Sequence, residues 1–239
     1  MDRACWRWLL RDESPEPSPG ADPIAIAEQL DVARLAARLK QPLPGRAAQS
    51  RFEPELSFSR HFGPPPPDAR PAAVVALLYP QLGQWHVPLT VRPTSMQTHA
   101  GQISFPGGGI VPGESNEAAV LRELSEELGF LTDNVELLGE LTPLYLYNSN
   151  YRVTAWVAAV NERPTFAPDP REVAELLEVP LAQLLDRRQH GVTARRARGI
   201  GVRVPHIAFG RHRIWGATSM ILGELLAIIE ELGLTSATA

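Results

Sequence analysis

From residue 24 the apolar positions recur at helical spacing. Ile24, Leu30, Leu35 and Leu39, with alanines between them, line one side of an amphipathic helix that stops before Pro42. The stretch GPPPPDARP, Gly63 to Pro71, then excludes helix and sheet pairing, because each proline fixes φ and lacks an N–H. A boundary there divides a Pro-rich N-terminal leader with one helix, residues 1–70, from a main domain, residues 71–235. Beyond it the apolar runs shorten. AAVVALLYP and WHVPLTVR read as buried strands, and VELLGELTPLYLY and YRVTAWVAAVN as two more, joined by a turn at Asn148, Ser149 and Asn150.

Three helical patterns remain. Ser115 to Leu128 is the clearest, closed by Gly129, a residue suited to the position after a helix end. PREVAELLEVPLAQLLDR reads as helix or loop and helix, interrupted by Pro180. ATSMILGELLAIIEEL is a helix with an apolar face from Met220 to Leu232. Strands mixed with a few helices, without regular βαβ alternation, predict an α+β fold, an α/β/α sandwich on a mixed sheet.

Composition narrows the class. The chain has 239 residues, 44% hydrophobic and 21% charged, enough for a sizeable core without staples. A net charge of −4 argues against a general nucleic-acid surface. The lone Cys5 excludes intrachain disulfides and a cysteine zinc site, and fits a reducing compartment. Arg7 and the charges from Arg11 to Glu13 break the first apolar cluster, so no signal peptide is expected there. No apolar run approaches the ~20 residues of a membrane span. A cytoplasmic, soluble protein is the expectation.

The candidate chemistry lies in GGGIVPGESNEAAVLRELSEELGF. At about 100° per residue, Glu126 and Glu127 fall about 60° and 40° either side of Glu123. Leu121, Leu124 and Leu128 form a separate stripe for the core. Like charges so spaced repel. Two readings compete: a solvated acidic face, or a hard-oxygen cluster for Mg²⁺ or Mn²⁺, completed by a backbone carbonyl of the glycine run. Arg122 is placed to hold one of the carboxylates.

Written out, Gly108, five residues, Glu114, seven residues, then Arg122-Glu123-Leu124-Ser125-Glu126-Glu127-Leu128-Gly129-Phe130 resembles the Nudix box. Every defined position is filled, with Phe130 a variant at the last. The resemblance implies the Nudix α/β/α sandwich and hydrolysis of a nucleoside diphosphate linked to another moiety. It implies Glu126 and Glu127 as principal Mg²⁺ or Mn²⁺ ligands, joined by Glu123 and a carbonyl at Gly107 or Gly108. Arg122 and Glu114 become orienting residues, and Glu123 or a carboxylate outside the box the base.

Upstream, Thr90, Arg92, Gly101, Phe105, Pro106, Gly107 and Gly108 fit the pattern preceding the box in coenzyme A pyrophosphatases. LTPLYLYNSNYRVTAWVA, DPREVAELLEVPLAQLL and RIWGATSMIL resemble that branch in the same order, so the resemblance spans about Ala72 to Leu232. It implies a small-molecule, CoA-like nucleotide substrate, with no nucleic acid and no membrane. Two positions depart: Pro93 replaces a small residue and Gln97 an arginine.

Arg92 reads as a phosphate contact or as a surface ion pair. His99 reads as a substrate-orienting or a packing residue, and Phe105 as a shaper of the loop within the substrate-binding segment. Glu172 is the candidate extra carboxylate and Asp169 its rival; either also reads as a helix N-terminal acid. The arginines from Arg187 to Arg213 read as a solvated basic loop or as a contact for the 3′-phosphate of coenzyme A. The N-terminal segment reads as a cap, a dimerisation arm or a leader, which leaves a homodimer open. A non-catalytic nucleotide-binding module, or a hydrolase of ADP-ribose, a dinucleotide or a nucleoside triphosphate, are the alternatives.

Overall fold

The computed structural model describes residues 22–55, 57–58, 60–95, 101–197 and 199–236. Cys5, Gln97, His99 and Arg198 lie outside the described residues. The described residues open with α1 (Pro23–Glu28), α2 (Val32–Leu39) and the single turn α3 (Arg46–Gln49). The one helix expected over 24–39 is therefore two. Asp31 accepts from the N–H groups of Ala33 and Arg34 and starts a new helix where the first would have continued. Ile26, Ala27, Leu35, Leu39 and Phe52 are buried in the core cluster that also takes in the C-terminal helix.

Then follow β1 (Arg70–Gln81), β2 (Gln84–Val91), β3 (Ile103–Ser104), β4 (Gly107–Gly109), α4 (Asn116–Leu128), β5 (Glu136–Glu140), β6 (Leu144–Leu146), β7 (Tyr151–Ala159), β8 (Glu175–Pro180) and α5 (Leu181–Leu185). The last elements are β9 (His190–Ala197), β10 (Ile200–Phe209), β11 (His212–Trp215) and α6 (Ala217–Ser236). Among the described residues the main sheet runs β3-β2-β1-β7-β5, with β4 on β1, β6 on β7 and β8 on β2. β1 and β7 are parallel and the other pairs antiparallel, which makes the sheet mixed, as expected.

Alternation along β1 feeds two cores, because successive side chains point to opposite faces. Ala73, Val75, Leu77 and Tyr79 meet Ala119, Val120, Leu124 and Leu128 of α4. Ala72, Ala76 and Leu78 meet the cluster of α6 and the N-terminal helices on the other face. Leu124 and Leu128 are fully buried, as their stripe requires, whereas Leu121 is only half-buried and Ala119 and Val120 complete the face.

Two expectations change. Residues 175–180 form a strand, not a helix: Leu177 and Val179 turn inward and the run pairs with β2 from His86 to Val91. Pro180 then begins α5, where its missing N–H costs nothing. The arginine-rich stretch is not a loop but a three-stranded antiparallel sheet, ordered β11-β10-β9, anchored by buried Ile207 and Ile214. No described helix is long and apolar enough to cross a membrane.

Candidate active site

α4 is fixed at both ends. The Ser115 hydroxyl accepts from the Ala118 N–H and starts it. Gly129, at φ 64°, turns the chain out and returns its N–H to the Ser125 carbonyl. The next orphan carbonyls, on Leu128 and Glu127, accept from the N–H groups of Ala167 and Asp169 at 2.8 and 3.1 Å. A Cβ on Gly129 would stand 2.2 Å from the Ala167 carbonyl oxygen, so only glycine lets this loop dock. No local sequence signal announced that contact, and it brings Glu172 to the acidic face.

The glycine run forms β4 against β1, with Gly107 opposite Val74 and Gly108 opposite Ala73. Gly107, at φ 147°, lies so close that a Cβ would be 2.4 Å from the Ala73 carbonyl oxygen. At Gly108 the same atom would meet Glu123 Oε1 at 2.5 Å, so the Glu123 carboxylate rests directly on the Gly108 backbone.

Arg122 organises the box. Its Nε and Nη2 donate to the two oxygens of Glu114 at 2.8 and 3.1 Å, and its Nη1 to Glu123 and Glu126, both at 2.8 Å. Nη2 also reaches the Gly109 carbonyl at 3.2 Å. Glu114 accepts the Val111 N–H as well, and these bonds, Arg122 first, hold its carboxyl below the usual range. The pairing expected of Arg122 is thus present with three carboxylates at once.

The three helix glutamates differ. Glu126 is exposed, whereas Glu123 is 8% and Glu127 2% exposed. Burial raises the Glu123 pKa, against the pull of Arg122. Burial, reinforced by the Glu123 charge, pushes Glu127 up to about 8, with Arg92 and the Gly107 N–H opposing. One Glu127 oxygen, Oε2, is buried without a hydrogen-bond partner among the described residues, and so is Arg92 Nε. Arg92 follows β2, with its N–H on the Gln102 carbonyl and its own carbonyl taking the Gly101 N–H. Strand alternation puts it on the Thr90 side of the sheet, toward α4.

Glu172 is exposed, and its charge raises both Glu123 and Glu127. Its carboxylate has no hydrogen bond among the described residues. Asp169, its rival, is bound by Arg171, which with the Arg171 N–H holds its pKa down to about 2. Phe105 is 2% exposed in the α6-side core, so its part is to anchor the loop rather than touch a ligand. Pro93, one of the two departures, is also buried.

Among the described residues no group of three or more His, Cys, Asp or Glu side chains stands ready as a metal cage. Arg122 holds Glu123 and Glu126 to itself. The donor set nevertheless fits a hard divalent cation: a buried carboxylate with a bare oxygen, a second buried carboxylate beside it, and a third at the rim.

Residues 69–197 match the family described as NUDIX domain. The chain is 35% identical over 138 residues to uncharacterized Nudix hydrolase NudL of Photorhabdus laumondii subsp. laumondii, covering 57% of this chain and 73% of the relative. It is 37% identical over 139 residues to the protein of that name from Yersinia pestis, covering 57% and 69%. A solved MutT protein from Methanosarcina mazei is similar at 19% identity and a TM-score of 0.45, over 66% of this chain and 92% of that one, too distant to bear weight. The chain belongs to the Nudix hydrolase family.

Proposed function

We propose that the protein is a divalent-cation-dependent diphosphatase that hydrolyses coenzyme A or acyl-CoA to 3′,5′-ADP and 4′-phosphopantetheine or its acyl form. The observation that carries the chemistry is the bare, buried oxygen of Glu127 beside buried Glu123 and the Arg92 guanidinium. Two buried carboxylates repel and draw their pKa values upward unless a cation joins them. In this reading Glu123, Glu126, Glu127 and the Gly108 carbonyl hold Mg²⁺ or Mn²⁺. Once bound, the ion supplies Lewis acidity and neutralises charge on the phosphate oxygens.

The protein's own groups do the rest. Glu114 and Arg122 keep the glycine loop and α4 in one register through the bonds already described. Arg92, half-buried beside Glu127, orients a diphosphate oxygen through its guanidinium. Glu172, whose carboxylate has no hydrogen bond among the described residues, takes the proton of the attacking water. Coenzyme A is favoured by the flanking match from Thr90 through Gly108, whose two halves pair as β2 and β3.

The test is a panel of coenzyme A, acetyl-CoA, ADP-ribose, dinucleotides and nucleoside triphosphates with Mg²⁺ or Mn²⁺, products identified by mass. Release of 3′,5′-ADP from coenzyme A is expected. Turnover of ADP-ribose with coenzyme A untouched would overturn the substrate assignment and leave the diphosphatase chemistry in place.

A further inference from the structure

Glu172 stands in a short span whose two ends are fixed to different walls of the site. At one end the N–H groups of Ala167 and Asp169 are bonded to the last carbonyls of α4. The Asp169 carbonyl then accepts from the N–H groups of Glu172 and Val173, at 3.0 and 2.8 Å, which turns the chain back, and Val173 is buried. At the other end the Ala174 N–H donates to the Val91 carbonyl at 2.8 Å, and Glu175 opens β8 opposite Val91. Glu172 thus sits between the backbone of Glu127 and the residue before Arg92.

The far end is braced from the other face of the sheet. Val87, Leu89, Leu177 and Val179 belong to the α6-side core, and alternation puts Val91 and Glu175 on that same side. There Glu175 meets the turn between β10 and β11. Arg211 Nη2 donates to its Oε2 at 2.6 Å, and His212 Nε2 lies 3.3 Å from its Oε1. A carboxylate only accepts, so this ring nitrogen carries the proton. Arg213 stiffens the turn, its Nη1 donating to the carbonyls of Gly210 and His212 at 3.2 and 2.9 Å. The small sheet is itself seated on the opposite neighbour of Val91. β11 packs beside β3, Thr218 donates its hydroxyl to the Ile103 carbonyl at 2.8 Å, and Ile103 pairs with Val91. One unit therefore holds both neighbours of Val91.

We propose that Glu175, clamped by Arg211 and His212, is a positioning residue that fixes the Glu172 carboxylate beside Glu123 and Glu127. The inference rests on Glu172 as the base of the proposed function. Glu175 lies on the face away from α4, so it acts through the span 172–174 and not on a reacting atom. Its worth to folding is small, because the Arg211 and Glu175 side chains are 78% and 37% exposed and such pairs add little to stability. Its worth to turnover is larger, because a catalytic group displaced by about 1 Å loses much of its effect.

The experiment compares Glu175→Ala, which removes the acceptor of both donors, with Glu175→Gln, which keeps an acceptor oxygen on a side chain of the same length and loses the charge. Two quantities are read on the full chain. One is kcat with Mg²⁺ on coenzyme A, or on whichever diphosphate of the substrate panel is hydrolysed. The other is hydrogen exchange of the Val173 and Ala174 amides in cation-free protein. In Glu175→Ala, kcat should fall about tenfold and both amides should exchange about fivefold faster. Glu175→Gln should match wild type in both. Arg163→Gln, which breaks the other ion pair of β8, at Glu178, should change neither. In a Glu172→Gln background the Glu175→Ala change should lower kcat no further, because it acts through that carboxylate. Unchanged kcat or amide exchange in Glu175→Ala, a Glu175→Gln or Arg163→Gln variant equally impaired, or an equal further loss in the Glu172→Gln background would each overturn the proposal and leave the base assignment in place. Wild-type kcat in Glu172→Gln alone is a separate result: the base assignment then falls, and this inference with it.

Discussion

Glu127 on α4 and Glu224 on α6 are 2% and 0% exposed, on helices packed against opposite faces of the same sheet. Glu224 accepts from the Gly45 N–H at 2.9 Å, Gln49 Nε2 at 2.8 Å, the Thr142 N–H at 3.1 Å and the Thr142 hydroxyl at 2.6 Å. Those four donors replace the water it lost. Glu127 has the Gly107 N–H on one side and, among the described residues, no hydrogen-bond partner on Oε2. Burial alone therefore does not mark a functional carboxylate. What separates the two is unmet demand for partners, which a cation can meet at Glu127 and which Glu224 has already spent on joining the N-terminal segment to the domain.

The comparison breaks most forcefully at Glu224. Replacing Glu224 by Ala orphans buried donors on Gly45, Gln49 and Thr142, and the expected loss is on the order of 3–5 kcal/mol in denaturant unfolding. Turnover per folded molecule should be unchanged, because none of these groups reaches the site. A variant of wild-type stability with lost turnover would reverse the assignment of the two glutamates.

Glu127 should answer the other way. Glu127→Gln keeps the shape of a side chain whose Oε2 has no hydrogen-bond partner among the described residues, so stability holds or rises while kcat falls, on the order of 10²–10³-fold, as for other preorganised electrostatic groups. Its pKa gives a second handle. Raised to about 8, the folded carboxyl keeps a proton that the unfolded chain releases at ordinary carboxylate pH. The folded state binds more protons across that window, so stability decreases as pH rises through it, by at most about 1.4 kcal/mol per pH unit. Melting temperatures of the cation-free protein should fall between pH 5 and 8. Saturating Mg²⁺ or the Glu127→Gln change should flatten the slope, and a flat cation-free profile in wild type would contradict the assignment.

The same contrast explains which parts of the site are legible in the sequence. Gly108, Glu114, Arg122 and the three glutamates lie within one loop and one helix, so fixed spacing encodes their meeting. Glu224 sits in ILGELLAIIEEL, where its only visible effect was to argue against a membrane span, and its partner Gly45 is 179 residues away. Long-range pairing also hid β8. EVAELLEV carries helical spacing as plausibly as alternation, and only β2, across a gap of some eighty residues, settles it as a strand. In the small sheet the arginines masked a period-two pattern carried by buried Val202, Val204 and His206, in unbroken register with β9. Charge composition suggested solvent where cross-strand register had built a face.

The finest test of the contrast is Thr142→Val, nearly isosteric, which removes the 2.6 Å hydroxyl bond to Glu224 and leaves the Thr142 N–H in place. A hydrogen bond to a charged group is worth about 1.5–3 kcal/mol, and the swap here leaves three donors on the carboxylate, so the lower figure is expected. Chemical denaturation measures it, with kcat for the same preparation as the control. If partner satisfaction is what makes Glu224 structural, stability drops and kcat does not. A drop in kcat at constant stability would mean that the β5–β6 connection, and not the donor count, links Glu224 to the site, because Thr142 lies between β5 and β6, which both pair with β7, and touches no residue of α4 in the described bonds.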